Sequence, residues 1–224
     1  MADVNSKYYK RFKLIIGNNF WRYYLRRVYK KCIKDFRELN FRPSFRNRDF
    51  KCLLCGVGNE VTADEFISFV LKKNLKAEIV IIDIGNKQIK AVKRLVKDKY
   101  SDKKIKVVKY DALNLLDLLN KNSINWIETD GFLEYFDKFN LERLLKIWKK
   151  LLKPNGFITT RAMVSNNGFE RLVDLLRVKI GRMWLGVKLY PHDKKEMNSL
   201  LKKLGYRFII KSTLLPTFKR ISLF

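Results

Sequence analysis

From residue 51 to the C-terminus, short apolar segments alternate with amphipathic segments of helical length. The segment EIVIIDI (78–84) is almost entirely apolar, which is typical of a central strand covered on both faces. Such alternation predicts a parallel sheet with right-handed crossovers. Only four residues, Leu214 to Thr217, separate the last two strands, which suits a hairpin and is too short for a parallel crossover. We therefore predict an α/β fold: a seven-stranded, mostly parallel sheet with a C-terminal antiparallel hairpin and helices on both faces.

The predicted elements follow from the apolar periodicity. Strands are predicted over 51–55, 78–84, 104–110, 124–129, 156–163, 206–213 and 218–224. Long helices are predicted over 63–74, 87–98, 141–152, 168–179 and 193–204, with a short one over 113–119. Thr62 is a candidate N-cap for the first of these helices.

The first 49 residues differ from the rest and are predicted to form a basic helical extension to a domain over 50–224. Residues 1–50 contain 14 Lys and Arg against 4 Asp and Glu. Aromatic and aliphatic residues recur every three to four positions between Phe20 and Phe36, which predicts an amphipathic helix of about five turns. Gly17-Asn18-Asn19 is predicted to separate it from a shorter helix over 7–16. The predicted outward-facing basic row consists of Arg22, Arg26, Lys30 and Lys34.

A formal net charge of +27 indicates a polyanionic partner. The favoured partner is RNA, with the outward basic row holding phosphates. An anionic membrane surface is the alternative, with the aromatic residues in the interface. A third interpretation is that the aromatic stripe only packs on the sheet.

The chain has three cysteines and one histidine, and no metal site is predicted. Cys52 and Cys55 lie three apart in a predicted strand, so they point to opposite faces and cannot jointly bind one ion. There is no run of eighteen apolar residues, so no membrane-spanning helix is predicted. The first sixteen residues lack the apolar core of a secretory signal, and we expect a cytoplasmic location.

Small and acidic residues follow three successive predicted strands. Gly56 and Gly58 follow the first strand, Asp83 ends the second and Asp111 follows the third. Glycines there allow a ligand close to the backbone, and an acidic residue can hold ribose hydroxyls. Since ligands of open parallel sheets bind at the carboxyl ends of the strands, we expect these residues to line one crevice.

Five segments together resemble the class I, Rossmann-like S-adenosylmethionine-dependent methyltransferases over about residues 50–224. They are CGVG (55–58), IIDI (81–84), KYDAL (109–113), IETDGFLEYF (127–136) and LLKPNGFITT (151–160). The resemblance implies S-adenosylmethionine as cofactor. It also implies roles for the strand-end residues: Gly56 and Gly58 beside the methionine moiety, Asp83 at the ribose, Asp111 at the adenine, and Thr129 and Asp130 beside the transferred methyl group. Ile84 and Ala112, which follow the two acidic residues, are also predicted to bind the cofactor.

The chain departs from the family pattern at two positions. Leu54 stands where the family usually has an acidic residue, and Glu60 stands where a third glycine is frequent. Glu60 or Asp130 is therefore predicted to replace the missing carboxylate at the methionine ammonium group.

The predicted catalytic residues are Asp130, Glu134, Tyr135 and His192. Methyl transfer requires a general base only if the acceptor begins protonated. The first three residues follow the fourth strand, where a base can reach the acceptor. Alternatively, Glu134 and Tyr135 lie on a helix surface or pack in the core, and His192 only begins a helix.

The acceptor is constrained mainly by missing motifs. After the fourth strand, ETDGF replaces the N/D/S-P-P-Y/F tetrapeptide of amino-methylating nucleic-acid enzymes, and no cysteine nucleophile follows. A methyltransferase acting on RNA is the first hypothesis, because of the basic extension. A methyltransferase acting on a small or lipid-like molecule is the second, and a non-catalytic RNA- or partner-binding module the third.

Overall fold

The computed structural model describes Tyr9, Arg11, Lys13 and residues 16–224. Apart from Tyr9, Arg11, Lys13 and Ile16, the helix predicted over 7–16 lies outside the described residues. The strands are β1 (Lys51–Cys55), β2 (Glu78–Asp83), β3 (Ile105–Lys109), β4 (Ile124–Asp130), β5 (Leu152–Ser165), β6 (His192–Asp193), β7 (Phe208–Ser212) and β8 (Phe218–Leu223). The helices are α1 (Asn19–Asp35), α2 (Glu60–Lys73), α3 (Asn86–Lys99), α4 (Lys138–Leu151), α5 (Gly168–Ile180) and α6 (Lys194–Lys203). A π-helical turn (Gly181–Leu185) follows α5 directly.

The strand order is β3-β2-β1-β4-β5-β8-β7. The first five of these strands are parallel to one another, and β8 pairs antiparallel with both β5 and β7. This confirms the mostly parallel sheet with a C-terminal antiparallel hairpin. The two-residue strand β6, which was not predicted, pairs parallel with the end of β5.

Several element boundaries differ from the predictions by a few residues, and two of them follow from local structure. Helix α2 begins at Glu60, since the Asn59 side chain accepts the N–H groups of Val61 and Thr62. Asn59, not Thr62, is therefore the N-cap. Strand β5 begins at Leu152, directly after α4, and includes the turn that contains Gly156.

The sheet separates two hydrophobic cores. On one face it packs against α4 and α6, with Trp148 of α4 fully buried. On the other face it packs against α1, α2 and α3 around Trp126 of β4. The Trp126 ring stacks on Phe157 and contacts Tyr29 of α1 edge-on.

Helix α1 buries its apolar face on the sheet, in agreement with the interpretation that the aromatic stripe packs there. Its buried residues are Tyr24, Leu25, Val28, Tyr29, Cys32 and Asp35. Phe20, which was predicted in the buried row, is exposed. The boundary between residues 49 and 50 stays a prediction.

In the part of the chain that the structure describes, none of the helices has the length and apolar character needed to cross a membrane. The same residues contain no cluster of three or more His, Cys, Asp or Glu side chains with metal-binding geometry. Cys52 and Cys55 are buried free thiols that belong to opposite cores.

Candidate active site

The ends of β1 and β2 are joined through the carboxylate of Asp83. It accepts the Val57 N–H at 2.7 Å and the Gly85 N–H at 2.6 Å. Burial raises the pKa of Asp83 to about 6, although these backbone hydrogen bonds act to lower it. The predicted glycine loop and the predicted ribose-binding carboxylate therefore lie in direct contact.

Gly56 begins that loop with a positive φ of 75°. A β-carbon there would lie 2.3 Å from Cδ2 of Phe132, so the glycine is also required by the close approach of this ring. Phe132 follows β4, and its packing holds the β1 and β4 loops together. Sequence reasoning had assigned the glycine to a ligand alone.

The end of β3 lies beside Asp83, whose carbonyl accepts the Tyr110 N–H at 3.0 Å. Asp111 is exposed and accepts the Leu113 N–H at 2.9 Å, which begins a short 3₁₀ turn. Ala112 is buried and Ile84 is exposed. An exposed isoleucine between two acidic strand ends offers an apolar surface of the kind that covers an adenine ring.

Two buried amide side chains near these loops have unused hydrogen-bonding capacity. Nδ2 of Asn59, directly after Gly58, and Oε1 of Gln88 have no hydrogen-bond partner among the described residues. Gln88 lies over the end of β2, because a β-carbon at Gly85 would be 2.2 Å from its Oε1. One unpaired donor and one unpaired acceptor beside Asp83 fit a polar adenosine ligand, since buried polar groups normally have partners.

Glu60 is already engaged within the protein. Its carboxylate accepts from the Tyr9 hydroxyl and from the Lys13 ammonium group, each at 2.6 Å. Burial acts to raise the pKa of Glu60, but the hydrogen bonds from Lys13 and Tyr9 hold it below its ordinary value. The structure thus places the Glu60 carboxylate in contact with Tyr9 and Lys13, and its role at the methionine ammonium group stays a prediction.

Thr129 lies inside the sheet and not at a free strand end. It is fully buried, and its hydroxyl is 2.6 Å from that of Thr160 on β5. The Thr160 hydroxyl therefore contacts the Thr129 side chain, and the position of Thr129 beside the transferred methyl group stays a prediction.

Asp130 belongs to a buried ion cluster around Arg161 of β5. The guanidinium donates to Asp130 at 2.7 Å and to Glu128 at 2.5 Å, and it lies over the Tyr29 ring, 5.1 Å from its centroid. Burial raises the pKa of Glu128 to about 7, against the lowering effect of Arg161. Asp130 is therefore held in a fixed ion pair beneath α1.

Sequence reasoning missed Arg161. Its signal was a single arginine within the otherwise uncharged strand GFITTRAM, beside a strand that carries Glu128 and Asp130. A buried arginine needs paired carboxylates, and the neighbouring strand could have suggested them.

Glu134 is a buried carboxyl group in the loop after β4. Its Oε2 has no hydrogen-bond partner among the described residues, and a β-carbon at Gly131 would lie 3.2 Å from its Oε1. Burial, reinforced by the charges of Asp130 and Asp174, raises the pKa of Glu134 to about 8. Among the four predicted catalytic residues, Glu134 is thus a buried acid whose surroundings favour the protonated form.

His192 and Tyr135 lie around the same loop. His192 is buried, and its Nε2 is 3.0 Å from the Leu133 carbonyl. Burial lowers the pKa of His192, which favours the neutral ring. Tyr135 is half-buried. His192 thus supports the loop that carries Glu134, and it lines a pocket of about 270 Å³ between α4 and α6.

Two of the four residues in the predicted basic row of α1 are paired with α2. Arg22 binds Asp64 and Glu65 of α2, each at 2.8 Å, and Arg26 binds Glu65 at 2.5 Å. Arg26, Lys30 and Lys34 are exposed, as predicted, whereas Arg22 is half-buried against α2. Phosphate binding by this row stays a prediction.

Residues 53–160 match the family model described as a methyltransferase domain. Over this segment, slightly less than half of the chain, the protein is similar to a methyltransferase domain, and its fold is Rossmann-like. Solved structures with a similar fold are described as S-adenosylmethionine-dependent methyltransferases. A comparison with curated proteins finds no match.

Solved structures similar to this methyltransferase domain have low sequence identity. A S-adenosylmethionine-dependent methyltransferase from Archaeoglobus fulgidus is 17% identical with a TM-score of 0.63, covering 96% of this chain and 99% of its own. The mitomycin 7-O-methyltransferase is 13% identical with a TM-score of 0.57, covering 78% and 48%. Geranyl diphosphate C-methyltransferase from Streptomyces coelicolor, solved with S-adenosylhomocysteine, is 9% identical with a TM-score of 0.57, covering 79% and 73%.

The chain spans about half the length of several of these structures, with coverage of 48%, 50% and 53%. The methyltransferase from Archaeoglobus fulgidus instead matches nearly end to end. The similarity therefore includes α1 in at least one relative, and it shows the fold.

Proposed function

We propose that the protein is a S-adenosylmethionine-dependent methyltransferase acting on a small or lipid-like molecule. The observation that carries the proposal is the contact between the Asp83 carboxylate and the Val57 N–H of the glycine loop, with Asp111 on the next strand end. These groups lie at the carboxyl edge of the sheet, where open α/β folds bind ligands.

S-adenosylmethionine, when bound, supplies a methyl group on a sulfonium carbon for in-line displacement. In this proposal Asp83 holds the ribose, Ile84 covers the adenine ring, and Asp111 with the neighbouring Ala112 binds the adenine edge. The loop from Gly56 to Gly58 lies along the methionine moiety. Because the pKa of Asp83 is about 6, this carboxylate is mostly ionised at pH 7 and can accept two hydroxyl groups.

Glu134 is the proposed proton acceptor for an acceptor molecule that begins protonated. It is buried beside the β4 loop, and only its ionised form can take a proton. Asp130 is proposed as a positioning residue, since Arg161 holds its carboxylate. Transfer then depends mainly on orientation of the two substrates, which can supply much of the acceleration.

A small or lipid-like acceptor is favoured by the surface near this loop. Asp174 of α5, whose charge acts on Glu134, lies on a helix that exposes Phe169, Leu172 and Leu176. Two of the similar structures are named for methylation of small molecules. Half of the basic row predicted to bind RNA, Arg22 and Arg26, already pairs with carboxylates of α2, which weakens the argument for RNA.

RNA is the second candidate acceptor, favoured by the net charge of +27 and by the exposed Lys30 and Lys34. The two acceptors are separated by incubating the protein with methyl-labelled cofactor and either total RNA or a lipid and metabolite extract. We expect label in the extract. Label in RNA alone would reject the small-molecule acceptor.

Cofactor binding is tested by titration calorimetry with S-adenosylmethionine and S-adenosylhomocysteine. Asp83→Ala should weaken binding by about 1–3 kcal/mol, the scale of hydrogen bonds to a charged group. Asp98→Ala, which removes an exposed carboxylate at the far end of α3, is the matched control and should bind as the wild type does. No heat with the wild type, or equal affinity in both variants, would reject the cofactor site.

A further inference from the structure

Helix α5 is amphipathic, but unlike an ordinary surface helix it exposes its apolar side to solvent and turns a polar side toward the protein. Its one buried residue is Asp174. Its large apolar side chains are exposed, with Phe169 at 76% and Met183 of the adjoining π-helical turn also at 76%. The full exposed apolar set is Phe169, Leu172, Leu175, Leu176, Ile180, Met183 and Trp184.

The spacing of these side chains places most of them on one stripe. Positions 169, 172, 176, 180 and 183 recur at helical intervals of three and four residues, so they point in one direction. This stripe runs along the whole of α5 and into the π-helical turn. We call these five residues the outer stripe.

The opposite side of α5 is tied to the protein by polar contacts. Asp174 accepts from the Thr217 hydroxyl, and Arg177 donates to the Pro216 carbonyl at 2.7 Å. Glu170 accepts from Lys219 at 2.8 Å. Since these contacts fix which side of α5 faces the sheet, the outer stripe cannot turn inward without breaking them.

The charged residues around the outer stripe limit which kind of partner can cover it. Arg171, Lys179 and Arg182 are exposed along one flank of it. Both acidic residues of α5 are engaged on the inner side, so the described surface around the stripe is apolar and cationic. A second copy of this chain would bring the same cations together and oppose two charges of +27.

We propose that α5 and its π-helical turn dock on an anionic membrane surface. The outer stripe enters the boundary between headgroups and acyl chains, and Arg171, Lys179 and Arg182 contact the anionic headgroups. Trp184, part-exposed at the end of the stripe, lies where an amphipathic ring suits the interface. The polar inner side of α5 keeps its contacts with Pro216, Thr217 and Lys219 while the helix lies on the membrane.

The stripe is tested by flotation of the full chain with vesicles of phosphatidylcholine, alone or mixed equally with phosphatidylglycerol. Binding is expected only with the anionic vesicles. Leu172→Ser/Leu176→Ser/Ile180→Ser should reduce it by about tenfold or more, because buried apolar area sets interfacial affinity. The control Leu75→Ser/Phe139→Ser removes apolar side chains that are 72% and 77% exposed elsewhere and should bind as the wild type does.

The cations are tested separately. Arg171→Gln/Lys179→Gln/Arg182→Gln should reduce binding to anionic vesicles by about ten- to a hundredfold, at roughly 1 kcal/mol per basic residue near the surface. The matched control removes the same charge from three exposed lysines of α3: Lys90, Lys93 and Lys97.

Equal loss in test and control variants, or no binding to anionic vesicles, would overturn the proposal. So would a dimer in solution that the triple serine variant dissociates, since the outer stripe would then be a self-interface. Vesicle binding needs no cofactor, so its failure is distinguishable from failure of the proposed methyltransferase function.

Discussion

Helices α1 and α5 have similar apolar periodicity and opposite orientations. In α1 the periodic residues are buried on the sheet, and Arg22 and Arg26 pair with α2. In α5 the carboxylate of Asp174 is buried, and the periodic residues face outward. The same sequence pattern therefore forms part of the core in α1 and an exposed apolar surface in α5. The residues of the sheet that each helix contacts determine which of the two results.

The difference arises from what each helix meets on the sheet. Under α1 lies the aromatic core around Trp126, which accepts Tyr29 and its neighbours. Under α5 lies the hairpin turn with Thr217 and Lys219, which binds acidic side chains. The polar side of α5 therefore faces the sheet because the hairpin turn provides hydrogen-bonding partners for Glu170 and Asp174.

The largest effect is expected at the ion cluster beneath α1. Arg161→Leu leaves Glu128 and Asp130 buried without their cation, so the free energy of unfolding should fall by about 3–5 kcal/mol. Arg177→Leu beneath α5, where the guanidinium is part-exposed, should cost about 1 kcal/mol or less. Urea unfolding of both variants measures this. Equal losses would remove the distinction between the two helices.

The same substitution in each helix tests their apolar residues. Leu25→Ala in α1 removes a fully buried side chain and should cost about 2–5 kcal/mol, from lost transfer energy and a cavity. Leu176→Ala in α5, where the leucine is 54% exposed, should change stability by about 0.5 kcal/mol or less. A loss at Leu176 as large as that at Leu25 would mean that the outer stripe is covered within the protein.

Strand and helix alternation was sufficient to predict the sheet, because the apolar β2 and the closely spaced β7 and β8 each admit few pairings. The strand-end residues Asp83 and Asp111 were found for the same reason. Contacts between segments distant in the chain were not predictable. No periodicity indicates that Glu60 binds Lys13, or that Asp64 and Glu65 bind Arg22.

The protonation of Glu134 sharpens the comparison. Glu128 and Asp130 under α1 share the Arg161 guanidinium, whereas Oε2 of Glu134 has no hydrogen-bond partner among the described residues. Its pKa of about 8 in the folded state lies above its ordinary value near 4.5. The folded state therefore binds an extra proton between these values, and stability falls as pH rises through this window. We expect a loss of about 2–4 kcal/mol between pH 5 and 9 that Glu134→Gln largely removes. Unfolding curves with the same pH slope in both proteins would contradict a buried neutral carboxyl group.

The smallest effect is expected at the ion pairs between α1 and α2. A double-mutant cycle of Arg26→Gln and Glu65→Gln should give a coupling of about 0.2–1 kcal/mol, because Arg26 is largely exposed and screened by solvent.

The same Arg26→Gln substitution, combined with Arg22→Gln, also tests the RNA hypothesis. If both arginines held phosphates of a single strand, the log–log salt slope of RNA binding would flatten by about 1.4, at about 0.7 per phosphate. Since both guanidinium groups already bind carboxylates, we expect Arg22→Gln/Arg26→Gln to flatten the salt slope less than Lys30→Gln/Lys34→Gln does. A larger change would mean that RNA displaces α2 from these arginines.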